Sequence, residues 1–177
     1  MRFTTVALIA MLTPAIAFAA GSGSSNPPKT TKTTTTCKAG QVFDTKTAKC
    51  IDKSSSLLDE DTKYLAVREL AYAGLYERAS GVLDEMDASD SRVLTYRGFI
   101  ARKTGDMDAA MTYYAAALDA NADNILARSY MGQGLVEAGD RAGAKLQLAE
   151  IRQRGGRETW AEYALKTALR SGVTSDY

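Results

Sequence analysis

The sequence predicts an all-α chain in which helix pairs are stacked side by side behind a small disulfide-closed hairpin. Three observations predict it. Gly105-Asp106 returns further along as Gly139-Asp140, and each aspartate is followed four positions later by an alanine, Ala110 and Ala144. From Leu57 onward there is no proline, and the chain fills with alanine, leucine and charged helix formers. The only two cysteines, Cys37 and Cys50, bracket a short stretch rich in turn residues.

At the front, Arg2 is followed by an apolar run over residues 6–20, broken by Thr13 and Pro14. The run falls short of the roughly 20 apolar residues that a membrane-spanning helix needs. Ala17-Phe18-Ala19 is the small-x-small pattern read by a signal peptidase, so residues 1–19 are expected to be a signal peptide cleaved after Ala19. Cys37 follows four threonines without a lipobox, which argues against a bacterial lipid anchor. Residues 20–36 carry no large apolar side chain and are expected to be a disordered Thr/Lys/Ser-rich linker, since they cannot offset their ordering entropy by burial. Such a tract serves as a spacer, with or without glycosylated threonines, or simply as a solvated leader.

Residues 37–56 follow. Gln41-Val42-Phe43 and residues 48–51 are expected as two short strands, with Asp44-Thr45-Lys46-Thr47 as the turn between them. Two strands alone are marginal in water, and a Cys37–Cys50 disulfide would contribute about 3 kcal/mol in the chain-entropy model. Export supplies the oxidising compartment. Zinc needs about four ligands, more than two cysteines and no histidine provide. The C-x-x-C spacing of a redox site is missing.

The body, residues 57–177, holds the repeat. Stepping by the interval between the two Gly-Asp pairs, Gly98 meets Gly132 and Tyr114 meets Leu148. An earlier unit places Val67, Leu70, Gly74, Ala79 and Leu83 on matching positions, with its connection three positions shorter. Gly105 and Gly139 sit where a helix must end in the left-handed region, and Asp106 and Asp140 are placed to cap the next helix. Gly98 and Gly132 fall mid-helix, where glycine costs up to about 1 kcal/mol against alanine, a cost that close packing on Ala110 and Ala144 would offset. Helix pairs are expected near 59–73 and 76–87, 91–104 and 107–119, and 124–138 and 141–154. A seventh helix over 157–171 would cover the apolar face of the last pair. In it Trp160 is read mainly as a packing anchor, with ligand stacking as the other reading.

This pattern, at a period of about 34 residues, resembles the tetratricopeptide (TPR) repeat. The resemblance spans residues 59–172, in units of about 60–90, 91–124 and 125–156. The cysteine-bracketed hairpin resembles one that sits ahead of helical repeats in exported bacterial proteins. The resemblance implies a superhelix whose concave groove is lined by the first helix of every unit. Its groove positions fall on Tyr64, Arg68 and Tyr72, then on Arg92, Thr95, Phe99 and Arg102, then on Ser129, Gln133 and Val136. Aromatics among arginines suit a binding hot spot. Equally, the rings would pack between units while the arginines are solvated. The groove lacks the basic-and-asparagine clamp with which some relatives hold a terminal carboxylate.

With no histidine, the commonest general base and metal ligand are missing. The acidic run 83–90 reads as a helix end, a turn and the next cap, so the expectation is not an enzyme, with neither cofactor nor metal. The formal net charge of +1 argues for neither nucleic acid nor a membrane surface. It is unevenly spread, though. Residues 20–56 hold six lysines against two aspartates, and with Arg2 this leaves −4 on residues 57–177. The expected role is a periplasmic scaffold holding a protein or peptide in the groove. The alternative is a structural protein tethered to the cell envelope through its basic leader.

Overall fold

The computed structural model describes residues 31–175, so the expected signal peptide and residues 20–30 of the leader lie outside it. A 3-10 turn at Thr34–Thr36 leads into two antiparallel strands, β1 (Gln41–Asp44) and β2 (Lys49–Asp52), in a register that sets Val42 opposite Ile51. Seven α-helices follow among the described residues. They are α1 (Glu60–Tyr72), α2 (Tyr76–Leu83), α3 (Ser91–Lys103), α4 (Met107–Ala120), α5 (Ile125–Glu137), α6 (Arg141–Gln153) and α7 (Trp160–Ser171).

The helices begin where a short polar side chain can accept an orphan N–H. Asp59, Asp90, Asp106, Asn124, Asp140 and Thr159 each accept a backbone hydrogen bond from their own first turn. They end where glycine takes positive φ, at +93° in Gly105 and +85° in Gly139, so Gly-Asp does close one helix and open the next. Gly74 does the same at +72°, but Leu75 follows in place of aspartate and α2 starts without a side-chain cap. Two boundaries move from their expected places. The i→i+3 bonds from Glu85 to Val82 and from Met86 to Leu83 tighten the end of α2, which stops at Leu83 rather than near 87. Glu158 takes φ of +62°, which delays α7 until Thr159 can cap it.

Packing is pairwise and sequential. α1 lies on α2, α3 on α4 and α5 on α6, while α1, α3 and α5 also touch in succession. One core runs from Val42 through α1–α4 to Tyr130, and a second joins α5, α6 and α7. The two mid-helix glycines admit different neighbours. A Cβ on Gly98 would stand 2.6 Å from the Tyr114 ring and 3.2 Å from the Ala110 carbonyl oxygen, so α3 and α4 meet there as expected. A Cβ on Gly132 would meet Leu165 of α7 at 2.6 Å, so this glycine makes room for the last helix rather than for Ala144.

The hairpin covers the open side of α1. Val42 is fully buried, Ile51 packs beside it, and Cys37 is joined to Cys50 as a disulfide. The leader departs from its expectation of disorder over residues 31–36. Glu69 of α1 accepts from the Thr31 and Thr33 hydroxyls and from the Thr35 N–H, the last at 2.6 Å. Arg78 of α2 donates to the carbonyls of Thr34, Thr35 and Cys37. Polar contacts order a stretch that has no apolar side chain to bury, an outcome that hydrophobic patterning does not register.

Candidate functional site

The first helix of each pair carries an aromatic row. Tyr64, Tyr72, Tyr96, Phe99 and Tyr130 lie with neighbouring ring centroids 5.0–6.3 Å apart, mostly edge-on or tilted, as ring quadrupoles prefer. The Tyr72 hydroxyl sits between those of Tyr96 at 2.7 Å and Tyr130 at 2.9 Å, tying α1, α3 and α5 together. Burial raises the Tyr96 and Tyr130 hydroxyls well above their ordinary range, and pushes Tyr64 up to about 12. These hydroxyls stay protonated at neutral pH and serve as hydrogen-bonding links rather than bases.

The groove positions therefore divide. Tyr64 and Phe99 are buried in the row and pack between helices. Thr95 is buried, donating to the Ser91 carbonyl and accepting from the Asn124 amide; Ser129 donates to the Ala161 carbonyl of α7. Gln133 and Val136 are also buried. Arg92 is paired with Asp90 and Asp61, and Arg102 is buried against Glu137 at 2.6 Å. These side chains knit the stack together through contacts within the chain.

Arg68 differs. Its guanidinium lies 5.8 Å from the Tyr64 ring centroid and 5.9 Å from that of Tyr72, and no carboxylate of the described residues pairs with it. It lines a cleft of about 150 Å³ between α1 and the leader. Leu65, Tyr72, Phe43 and the threonines 31, 33, 34, 45 and 62 complete the walls, with Glu69 already held by the leader. Leu65 at the rim is 53% exposed, large for an apolar side chain beside a cation. An uncompensated guanidinium, flat aromatic faces and hydroxyls within one concavity suit an acidic or polar extended segment.

Some contributors were not singled out by sequence reasoning. Tyr96 and Tyr130 stand apart by the same interval as the two Gly-Asp pairs, so that interval held the signal for their shared contact with the Tyr72 hydroxyl. Nothing in the pattern marked Glu69 or Arg78, whose partners are threonine hydroxyls and backbone groups of a distant leader. Trp160 is buried and stacks at 5.4 Å on Tyr163. Among the described residues no group of three or more Cys, Asp or Glu side chains is arranged to hold a metal ion, and no helix is long and apolar enough to cross a membrane. No protein-family model, curated protein or solved structure matches this chain.

Proposed function

We propose that the chain is an exported, non-enzymatic interaction module of the TPR type, a short superhelix that engages a protein or peptide at its α1 end. The reading is supported by the recurrence of Gly105-Asp106 as Gly139-Asp140, together with paired helices whose first members neighbour one another. The Cys37–Cys50 disulfide is compatible with an oxidising compartment. The observation that carries the site is Arg68, the one arginine of the expected groove without a carboxylate among the described residues, facing a cleft beside exposed Leu65. The partner's contact there is an acidic, extended segment whose carboxylate completes the Arg68–tyrosine cluster.

Arg102 is a poor target for a test, because stripping a buried ion pair of one partner costs about 3–5 kcal/mol and unsettles the fold. A photo-crosslinking side chain at position 65, compared with one at the similarly exposed Leu146 of α6, isolates the cleft. Position 65 should yield discrete adducts in the native host, reduced about tenfold by Arg68→Gln, as expected when a hot-spot arginine is lost. Equal adducts from both positions, or adducts indifferent to Arg68, would overturn the reading.

A further inference from the structure

α7 ends at Ser171, and Gly172 turns the chain back with φ of +76°. The residues that follow lie along α5. The Ser175 N–H and hydroxyl both donate to the Gln133 side-chain oxygen, at 3.0 and 2.9 Å, and the Thr174 hydroxyl donates to Glu137. Glu137 is at the same time the partner of Arg102 from α3. Ser129, Gln133 and Glu137 are spaced four apart and form one stripe down α5, joined where the Gln133 amide donates to the Ser129 hydroxyl. Two of the three, Ser129 and Gln133, fall on expected groove positions, as do Val136 and Arg102 beside them.

Gln133 is fully buried, and the only hydrogen bonds its side-chain oxygen accepts among the described residues come from Ser175. Lifting the segment away would expose or orphan that oxygen and free one side of the Glu137 carboxylate. A polar stripe so arranged is complementary to an extended chain presenting a backbone N–H and adjacent hydroxyls. From this we infer that the α3–α5 face is a docking surface for an extended Ser/Thr-bearing segment, and that residues 172–175 are its resident occupant. Among the described residues the contacts to α5 include one main-chain donor and two hydroxyls, with Val173 left exposed, so these contacts recognise backbone and small polar groups. This inference is independent of the Arg68 cleft, which lies on α1.

The test uses the chain shortened after Gly172 and a synthetic peptide of residues 171–177. The shortened chain should bind the peptide saturably, the peptide with scrambled order should not bind, and Gln133→Met in the shortened chain should abolish binding. A segment tethered directly to α7 has an effective concentration on the order of millimolar. If the free peptide binds with a Kd of about 100 µM, the full-length chain should take it up about tenfold more weakly. A folded shortened chain with no affinity for the peptide would sink the inference. In the full-length chain the Ser175 amide should exchange with solvent about tenfold more slowly than in a free peptide, and Gln133→Met should remove that protection. Exchange at the free-peptide rate would equally overturn it, even if the shortened chain does not fold.

Discussion

The two ends of the helix stack are closed by different chemistry. At the C-terminal end α7 lays one apolar stripe, Ala161, Leu165 and Leu169 with Ala164 and Ala168, onto Ile125, Val136, Ala144 and Ile151. At the N-terminal end the hairpin contributes little apolar surface, chiefly Val42 with Ile51 beside it. The disulfide holds the hairpin itself together, and Lys53 donating to the Gly81 carbonyl at 2.7 Å, with the Glu69 and Arg78 contacts to the leader, fixes it to the helices. An amphipathic helix of the length of α7 supplies enough buried surface to hold itself, whereas a two-stranded ribbon does not. The same task, covering the outer face of a terminal helix pair, is done by burial at one end and by covalent and polar ties at the other.

The largest effect should come from breaking the apolar end. Leu165 is fully buried over Gly132, and Leu165→Ala should destabilise the chain by about 4 kcal/mol, measured by urea unfolding. The same geometry predicts a change of sign. Alone, Gly132→Ala is opposed by Leu165 at 2.6 Å and should cost about 1 kcal/mol, helical propensity offsetting part of the clash. With Leu165→Ala already present, the new methyl enters vacated space, and Gly132→Ala should instead stabilise by about 1 kcal/mol. Additive effects in the double variant would show that α7 does not pack where Gly132 makes room for it.

Next in size is the covalent end. Replacing Cys37 and Cys50 by serine should cost about 3 kcal/mol, since the bond closes a loop of similar length to those for which chain entropy gives that value. Reductant should reproduce the loss in the native chain and leave Leu165→Ala no further from its parent than before. Amide exchange localises the difference: strands β1 and β2 should lose protection on reduction while α5–α7 keep theirs. Loss spread evenly over all helices would mean that the two closures are one cooperative unit, and the contrast between the ends would fall.

The contrast also explains what could be read in advance. α7 and the three helix pairs were legible because burial leaves a period in the chain. The long period carries Gly105 to Gly139, and the short helical one carries Ala161 to Ala164 and Leu165. The cysteines and the strands between them were legible for the same kind of reason, a local pattern with a local cause. The leader was not. Its partners, Glu69 and Arg78, stand far along the chain, Glu69 holding threonine hydroxyls and one N–H and Arg78 holding carbonyls, and no local pattern links them to the leader. The groove was half legible. The positions expected from the resemblance fall on the first helices, yet whether Thr95 or Gln133 faces solvent or a neighbour depends on Asn124 and on residues 172–175, which no periodicity places there.

The smallest expected effect, and the sharpest on the leader, is its response to acid. Burial works against the charge of Glu69, but the Thr31 hydroxyl, the Thr35 N–H and the Thr33 hydroxyl outweigh it and hold the carboxyl below its ordinary value of 4.5. A carboxyl that is more acidic in the folded chain means that the released state binds more protons. Docking of residues 31–36 is therefore fully supported above pH 4.5 and is lost as pH falls through the lowered folded value. The Thr35 amide should be protected from exchange near neutrality and exposed in acid, with helicity unchanged by circular dichroism. Asp44 and Asp59 are also held low, by the Thr47 hydroxyl and by Lys46 respectively, so acid loosens the hairpin as well. Glu69→Ala separates the two: it should expose Thr35 at every pH while the hairpin amides keep their own acid transition. If Thr35 stays protected in that variant, Glu69 does not hold the leader, and the polar half of the N-terminal closure reduces to Arg78, Lys53 and the Phe43 N–H donated to the Thr34 hydroxyl.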